Sequence, residues 1–224
     1  MKKKSLAWTL FLFVLICAAP PEAEAEAVTQ KEALIALYDS TKGESWTNND
    51  YWNSDTVPLC DWYGIYCPDS TNVTEIFLNN NNLDGTIPPE IEYLTNLEVL
   101  GLTNNNLKGP IPPEIGKLTN LYSLFLQINQ LTGPIPREIG KLTNLQSLKL
   151  HDNRLTGNIP ATFQELSANC FVEISRNCLT GGFENLSHVS TVIGENDQEA
   201  SKCDSDNWFV IPLPENQGSV IFNL

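Results

Sequence analysis

The residues that perform acid–base or nucleophilic chemistry in enzymes are sparse in this sequence. It contains two histidines, and one of them, His151, is followed directly by Asp152. A histidine beside a carboxylate is typical of general acid–base catalysis, but neighbours on a strand point to opposite sides or splay apart at its end. No motif places a serine or cysteine nucleophile next to this pair, and carboxylates at glycosidase spacing cannot be recognised from a sequence. We therefore expect that the chain is not an enzyme.

Metal and cofactor chemistry is not expected either. A metal site needs a recognisable cluster of imidazole, thiolate or carboxylate ligands, and two histidines do not suggest one. The chain carries 13 basic and 27 acidic residues, a formal net charge of −14. A strongly acidic protein does not hold nucleic acid or an anionic membrane by electrostatic attraction. Nucleic acid is therefore not an expected partner.

The elements that would position any site follow from a 24-residue repeat that runs through the middle of the chain without insertion or deletion. Residues 71–94, 95–118, 119–142 and 143–166 align end to end, and Ser167 opens a degenerate fifth copy. A period of this length carrying L-x-x-L-x-L-x-x-N-x-L is typical of a solenoid in which each coil contributes one short strand. One coil cannot bury its apolar side chains alone, so the copies are expected to stack into a continuous core with their strands about 4.8 Å apart.

An asparagine recurs at the same place in every copy, close to the inward-facing leucines. The positions are Asn81, Asn105, Asn129, Asn153 and Asn177. An unpaired buried amide would cost roughly 1–3 kcal/mol, so we expect each side chain to bond backbone groups of its own coil and of the neighbouring coil. This ladder is predicted to be structural and not catalytic.

The second half of each coil carries G-x-I-P, where glycine permits a bend and proline fixes φ and removes a hydrogen-bond donor. The motif occupies residues 85–88, 109–112, 133–136 and 157–160. This L-x-G-x-I-P ending resembles the leucine-rich repeats of the plant-type extracellular class, and the resemblance covers residues 71–182. It implies an α/β repeat fold, namely a right-handed leucine-rich repeat solenoid with a concave parallel β-sheet, a second short sheet behind it, and capped ends.

The two ends of the chain differ from the repeats. Residues 1–25 carry three lysines directly after Met1 and continue into an apolar stretch. This pattern is typical of a secretory signal peptide, and the stretch is too short for a membrane span. Cleavage after Ala19, Ala25 or Ala27 stays open. Residues 26–70 are expected to form an amino-terminal cap, and residues 183–224 a carboxy-terminal cap and tail. The mature protein is expected to be secreted, extracellular or associated with the cell wall, with no stable membrane span.

The predicted amino-terminal cap combines a helix with aromatic residues. Thr29 and Glu32 form a capping box that predicts the start of a helix. Two tryptophans follow, and then the motif C-x-W-x-G-I-x-C at residues 60–67. That motif resembles the amino-terminal cap of secreted leucine-rich repeat proteins, which implies a bridge between Cys60 and Cys67. The tryptophans are expected to pack in the cap rather than to stack on a sugar.

The remaining cysteines leave the disulfide pattern open. One of the six cysteines lies in the predicted signal segment, so five would remain in the mature chain. An odd number means that one is free or is paired between chains. Besides the bridge in the cap, we favour Cys178–Cys203, which would staple the carboxy-terminal end. Cys170 shares the repeat position of Gln146, so it is either exposed or itself forms the bridge.

Residues that flank the inward leucines of each strand are expected on the concave face, where they vary between copies. Large apolar groups on such a face often mark a contact surface, and here they adjoin a patch of mixed charge. The predicted partner-binding residues are Phe77, Val99, Thr103, Phe125, Gln127, Ile128, Lys149, His151, Asp152, Glu173 and Arg176. The alternative for the charged residues is that they only solvate the sheet and pair across strands.

The function that we predict is a secreted, non-enzymatic recognition module that binds a protein or peptide through the concave face, in surface signalling or defence. The five coils resemble the ectodomains of the somatic embryogenesis receptor kinases, which implies a partner or decoy of a receptor. The repeat also resembles polygalacturonase-inhibiting proteins, which implies the alternative of inhibiting a secreted polysaccharide hydrolase.

Two other features of the surface suggest further roles. Regular ladders on one edge suggest the alternative of an ice-binding, surface-binding or structural wall protein, although a Thr-Asn turn is also an ordinary way to enter a strand. The ladder positions are Thr71, Thr95, Thr119, Thr143, Asn72, Asn96, Asn120 and Asn144. The sequons at Asn72 and Asn185 are candidate glycosylation sites in a secreted protein.

Overall fold

The larger of two sheets follows the predicted strands of the repeat in a computed structural model that describes residues 22–192. Its strands are β1 (Ile65–Tyr66), β2 (Glu75–Phe77), β4 (Val99–Gly101), β6 (Ser123–Phe125), β8 (Ser147–Lys149), β10 (Phe171–Glu173) and β12 (Ser190–Val192). They lie in that order. Strand β1 pairs with β2 in the antiparallel sense, and every later pair is parallel. This is the concave sheet of the predicted solenoid, and the predicted fold class is confirmed.

A second sheet forms where each coil turns away from the first. Its strands are β3 (Asp84–Gly85), β5 (Asn106–Gly109), β7 (Gln130–Pro134), β9 (Arg154–Asn158) and β11 (Cys178–Gly181), and neighbouring coils pair in parallel. Short 3-10 turns close the coils at Pro89–Tyr93, Pro113–Lys117, Arg137–Lys141, Ala161–Glu165 and Phe183–Leu186. The first four follow directly on the proline of G-x-I-P, because a proline with φ near −65° leads into a tight turn and cannot continue a strand ladder.

The core is one continuous apolar column inside the coils. Leu100, Leu124 and Leu148 occupy the same place in successive coils, and all are 0% exposed. Ile115 and Ile139, which lie in the 3-10 turns on the opposite side of the coils, are also 0% exposed. Since each side chain packs against copies above and below, burial comes from stacking and not from any single coil.

The recurring asparagines hydrogen-bond between coils where the chain leaves the concave sheet. Asn153 is typical: its Nδ2 donates to the carbonyl oxygens of Leu150 (3.1 Å) and Leu126 (2.9 Å), in its own coil and the preceding one. Its Oδ1 accepts a hydrogen bond from the backbone N–H of Leu131 at 3.0 Å. Asn105, Asn129 and Asn177 repeat this arrangement. These contacts leave the buried amides satisfied and join each coil to its predecessor.

Replacing Asn153 by alanine is expected to lower the free energy of unfolding by at least about 2 kcal/mol, because buried backbone groups of two coils lose their partner. Asn106→Ala is the matched control, since the exposed Asn106 side chain donates only to Asn82, and it should change stability by less than about 0.5 kcal/mol. Urea denaturation of both variants measures the difference. Equal effects would show that the inward position of Asn153 carries no special cost.

The helix of the predicted amino-terminal cap is longer than the sequence predicted. Helix α1 spans Glu22–Ser40, so it begins before the capping box at Thr29, and that predicted start is wrong. The alternating glutamates and alanines before Thr29 are good helix formers, which explains the extension. Buried Gln30 fastens the helix to the solenoid, since its Oε1 accepts a hydrogen bond from the backbone N–H of Val73 at 2.8 Å. No helix within residues 22–192 is long and apolar enough to cross a membrane.

The tryptophans of the cap pack together and close the apolar end of the first coil. Trp46, Trp52 and Trp62 are only 6%, 6% and 2% exposed. The rings of Trp46 and Trp52 meet edge to face with their centroids 4.8 Å apart, and Trp52 Nε1 donates to the carbonyl oxygen of Tyr63. Their faces are covered by neighbouring rings, so they are not available to stack on a sugar.

Ion pairs connect the cap to the first coils of the solenoid. Lys108 and Lys42 both hydrogen-bond to the carboxylate of Asp84. These hydrogen bonds, with Lys108 contributing more, lower the pKa of Asp84 to about 2. Because the pKa is depressed in the folded chain, the contribution is present above about pH 4 and is lost as the pH falls through the lowered value. The two lysines are exposed and Asp84 is partly exposed, so these ion pairs contribute little to the free energy of unfolding.

The cysteines within residues 22–192 are placed as follows. Cys60 and Cys67 form a disulfide with Cα atoms 5.5 Å apart. Cys170 is 0% exposed, and burial raises the pKa of its thiol to about 11. It therefore does not resemble the exposed Gln146. The backbone N–H of Cys170 donates to the carbonyl oxygen of Ser167, as that of Leu145 donates to Leu142. The segment entering β10 is thus displaced by one residue and Cys170 fills a leucine position, while β10 itself keeps the 24-residue register with β8. Cys203, residues 1–21 of the predicted signal peptide and most of the predicted carboxy-terminal cap lie outside the described residues.

Candidate binding surface on the concave sheet

The register of the concave sheet brings the predicted contact residues into rows. One row crosses the strands through Phe77, Gly101, Phe125, Lys149 and Glu173, which are directly paired from strand to strand. The next row toward the carboxyl ends of the strands contains Thr103, Gln127 and His151. The side-chain Oε1 of Gln127 is buried without a hydrogen-bond partner within residues 22–192, which is uncommon for a buried acceptor.

The apolar members of the surface are not equally accessible. Phe77 is 41% exposed and Ile128 is 44% exposed. Phe125 is only half-exposed. Val99 is 4% exposed and cannot be a main contact residue.

Lys149 lies between two aromatic rings. Its Nζ is 5.8 Å from the ring centroid of Phe125 on one side and 5.9 Å from that of Phe171 on the other. Cation–π contacts of this kind are worth roughly 0.5–1 kcal/mol at exposed sites. They hold the ammonium group in place and explain why part of the Phe125 ring is covered.

The charged patch is a connected network, contrary to one prediction. His151 and Asp152 were expected to diverge, but His151 Nδ1 lies 2.8 Å from Asp152 Oδ2. The reason is the backbone of Asp152, whose φ of 54° turns its side chain back onto the face of His151. Glu173 Oε2 is 3.6 Å from the other nitrogen of His151, and Arg176 reaches Asp152 at 3.1 Å. These charges pair across strands, as the alternative prediction held, and they fix the orientation of His151.

Residues just after the strands form a column with an unusual backbone. Asn80, Asn104, Ile128, Asp152 and Arg176 all have φ between 48° and 58°. Asparagine and aspartate enter this left-handed region readily, whereas a β-branched side chain crowds the backbone there. Ile128 is still 44% exposed, so burial compensates this crowding only in part, and the solenoid alone does not explain its presence.

Ile128→Asn should therefore stabilise the fold, by about 1 kcal/mol. Asn104→Ile, one coil earlier in the same column, is the reverse control and should lower stability by a similar amount. Thermal unfolding followed by circular dichroism compares both with the parent chain. An Ile128→Asn variant that is no more stable than the parent would contradict the strain at this position.

One exposed residue of the face was missed by the sequence analysis. Tyr66 is 54% exposed and pairs directly with Glu75 from strand β1 of the cap. It lies outside the repeat, so the repeat register could not place it. Because β1 extends the sheet by one antiparallel strand, the cap and the coils present one continuous surface.

The two sequons differ in structure. Asn185 is 8% exposed, its Nδ2 donates to the carbonyl oxygen of Ile159 at 3.0 Å, and its Oδ1 accepts from Gln164. The folded chain has no room for a glycan on that nitrogen, which argues against the prediction for Asn185. Asn72 is partly exposed at the start of the first coil and stays a predicted site.

The Thr and Asn ladders lie on the edge where each coil enters the concave sheet. Thr71, Thr95, Thr119 and Thr143 are exposed. The asparagines beside them are used between coils: Asn120 and Asn144 donate to the carbonyl oxygens of Thr95 and Thr119, both at 2.9 Å. This supports the reading of the Thr-Asn pairs as turns that enter the strands.

Comparison with known proteins gives three kinds of match. A family model described as Leucine Rich Repeat matches residues 72–94, 96–118 and 144–166. Among curated proteins of Arabidopsis thaliana, a probable LRR receptor-like serine/threonine-protein kinase is 37% identical over 99 residues, 44% of this chain and 15% of the kinase. Leucine-rich repeat protein 1 is 37% identical over 102 residues, 44% of each chain. The match thus spans less than half the length of either relative.

Solved structures match a larger part of the chain. The BIR2 ectodomain from Arabidopsis thaliana is 34% identical, with a TM-score of 0.58 over 66% of this chain and 81% of that one. The Arabidopsis receptor kinase HAESA, solved with the peptide hormone IDA and the co-receptor SERK1, is 29% identical, with a TM-score of 0.63 over 74% of this chain and 28% of that one. A plant ice-binding protein is 28% identical, with a TM-score of 0.55 over 74% of this chain and 61% of that one.

Proposed function

Because the chain belongs to the leucine-rich repeat proteins, we propose that it is a secreted, non-enzymatic recognition module that binds a protein or peptide partner on its concave sheet. The partner would be a surface receptor or a secreted enzyme, in signalling or defence. The single observation that carries this proposal is the exposure of Phe77 and Ile128 on a sheet whose other face is fully packed. Large apolar groups left this exposed contribute less to the fold than buried ones, and contact surfaces are enriched in them.

The neighbouring structures support the same class of function. HAESA was solved with a peptide hormone and a co-receptor, so a scaffold of this kind is able to hold a peptide and a protein. The rigid spacing of the coils also favours recognition, since side chains on paired strands are pre-positioned and lose little conformational entropy when a partner binds.

The proposal is tested by affinity capture from the secreted and surface fraction of the source organism, with the full chain as bait. A Phe77→Ala/Phe125→Ala/Lys149→Glu variant is expected to lose the captured partner, because it removes two apolar groups and reverses the charge beside Phe125. Tyr93→Ala/Lys141→Glu is the matched control: Tyr93 is 44% exposed, both residues lie on the 3-10 turns, and the change in net charge is the same.

The affinity-capture result tests the concave sheet as the binding face. A partner kept by the control and lost by the concave variant supports the proposal. A partner that both variants keep, or no partner above background, would reject the concave sheet as the binding face. Thermal unfolding of both variants shows whether they are folded to the same extent as the parent.

Ice binding is a second candidate, and the likeness to a plant ice-binding protein is the observation in its favour. The exposed threonines repeat at the coil spacing, about 4.8 Å, but only four rungs exist. A recognition module is expected to show no thermal hysteresis in a freezing assay. Hysteresis that disappears in a Thr119→Lys variant and persists in the concave variant would instead place the function on the threonine edge.

A further inference from the structure

The concave face carries an apolar strip built on Phe77, Gly101 and Phe125. These residues are paired in register across strands β2, β4 and β6. Gly101 has no side chain, and the Asn79 amide and the Phe77 ring fill the space above it: a Cβ placed on Gly101 would lie 3.1 Å from Nδ2 of Asn79, 3.2 Å from its Oδ1 and 3.3 Å from Cδ1 of Phe77. The Asn79 Oδ1, which accepts a hydrogen bond from the backbone N–H of Thr103 at 2.8 Å, therefore borders the gap between the two rings. An apolar side chain of a partner would contact both phenylalanines across Gly101 and this amide.

One end of the strip bears a positive charge that is not neutralised. Lys149 has no ion pair with any residue among 22–192. Its direct neighbour in the sheet is Glu173, but that carboxylate lies beside His151 instead, at 3.6 Å. The rings of Phe125 and Phe171 attract the ammonium group without cancelling its charge. Lys149 is thus held in position and still able to pair with an anion.

The other end of the strip bears a negative charge. Glu75 lies two residues before Phe77 on β2, opposite Tyr66, and it too lacks an ion pair in the described part of the chain. The pKa of nearby Tyr122 is raised, first by burial and then by the charges of Glu75 and Glu98.

The distance between the two charges fits a short extended segment. Glu75 and Lys149 are three strands apart across the sheet and two residues apart along it, which is roughly 16 Å at about 4.8 Å per strand and about 3.3 Å per residue. An extended peptide covers that distance in about five residues. A purely acidic segment would be repelled at long range by the net charge of −14, whereas a segment with both charges meets a complement at each end.

Resting on the proposed function, we propose that the concave sheet binds an extended peptide segment of a partner protein that crosses the strands in one direction. A basic group lies at Glu75, a large apolar side chain contacts Phe77 and Phe125, and an acidic group lies at Lys149. The opposite charges at the ends set the direction of the segment, because reversing it would place like charges together. Within this arrangement Lys149 and Glu75 are the residues that determine specificity.

The test uses random nine-residue peptides displayed on phage as the probe. They are selected in parallel on the full chain and on its Lys149→Glu, Glu75→Lys and Lys141→Glu variants. The full chain is expected to enrich peptides with an acidic residue about five positions from a basic one and a large apolar residue between them. Lys149→Glu should abolish the acidic preference and weaken binding of a synthetic copy of an enriched peptide by about tenfold or more. Glu75→Lys should abolish the basic preference.

Lys141→Glu is the charge-matched control on the 3-10 turns, and it should leave both preferences unchanged. If Lys141→Glu and Lys149→Glu weaken peptide binding equally, net charge alone would explain the effect, and the proposal would be overturned. Enrichment of peptides without charge preference, lost in Phe77→Ala, would overturn it while the proposed function stands. If no peptides are enriched on the full chain, the result would count against this proposal and, for peptide partners, against the proposed function as well. Self-association that Lys149→Glu removes would assign the face to a second copy, which also overturns the proposal.

Discussion

The hydrogen bonds of the inward asparagines join every coil to the one before it, and the rest of the structure depends on them. Asn153 serves carbonyl groups of two coils and an N–H of the earlier coil, so no coil satisfies its own backbone in isolation. The first coil has no predecessor, and there the cap takes the same role. Asn81 Nδ2 donates to the carbonyl oxygen of Asn48, and its Oδ1 accepts from the N–H of Asn48. The cap loop therefore replaces a missing coil in hydrogen bonding as well as in burial.

This dependence separates the residues that make the fold from those that make the surface. The inward leucines, the asparagines and the G-x-I-P turns supply burial and hydrogen bonds, and they recur in each coil. The outward positions of β2 to β10 contribute little to either, so Phe77, Gly101, Phe125, Lys149 and Glu173 are free to differ at equivalent places. A face of this kind can change its partner without a change of scaffold.

The sequence predicted what the repeat period controls. The inward set, the concave rows and the asparagine positions follow from counting residues, since each coil repeats one backbone path. The contact between His151 and Asp152 could not be predicted in this way, because it depends on a left-handed backbone at Asp152 and not on alternation along a strand. Cys170 was misplaced because the segment before β10 is displaced locally by one residue although β10 keeps the repeat register. The burial of Asn185 depends on packing beyond the last regular copy.

The left-handed column after the strands links the structure of the coil to its surface chemistry. The turn lifts the side chain of each column member back toward the concave face, which is how Asp152 reaches His151 and how Arg176 reaches Asp152. Asn80 and Asn104 use the same turn to hydrogen-bond each other. At Ile128 the turn is kept although the side chain fits it poorly, since the N–H of Ile128 and its carbonyl oxygen still serve the neighbouring coils. The backbone is therefore fixed by stacking, and the strain at Ile128 can be relieved only by changing the side chain, which is the part that a partner would meet.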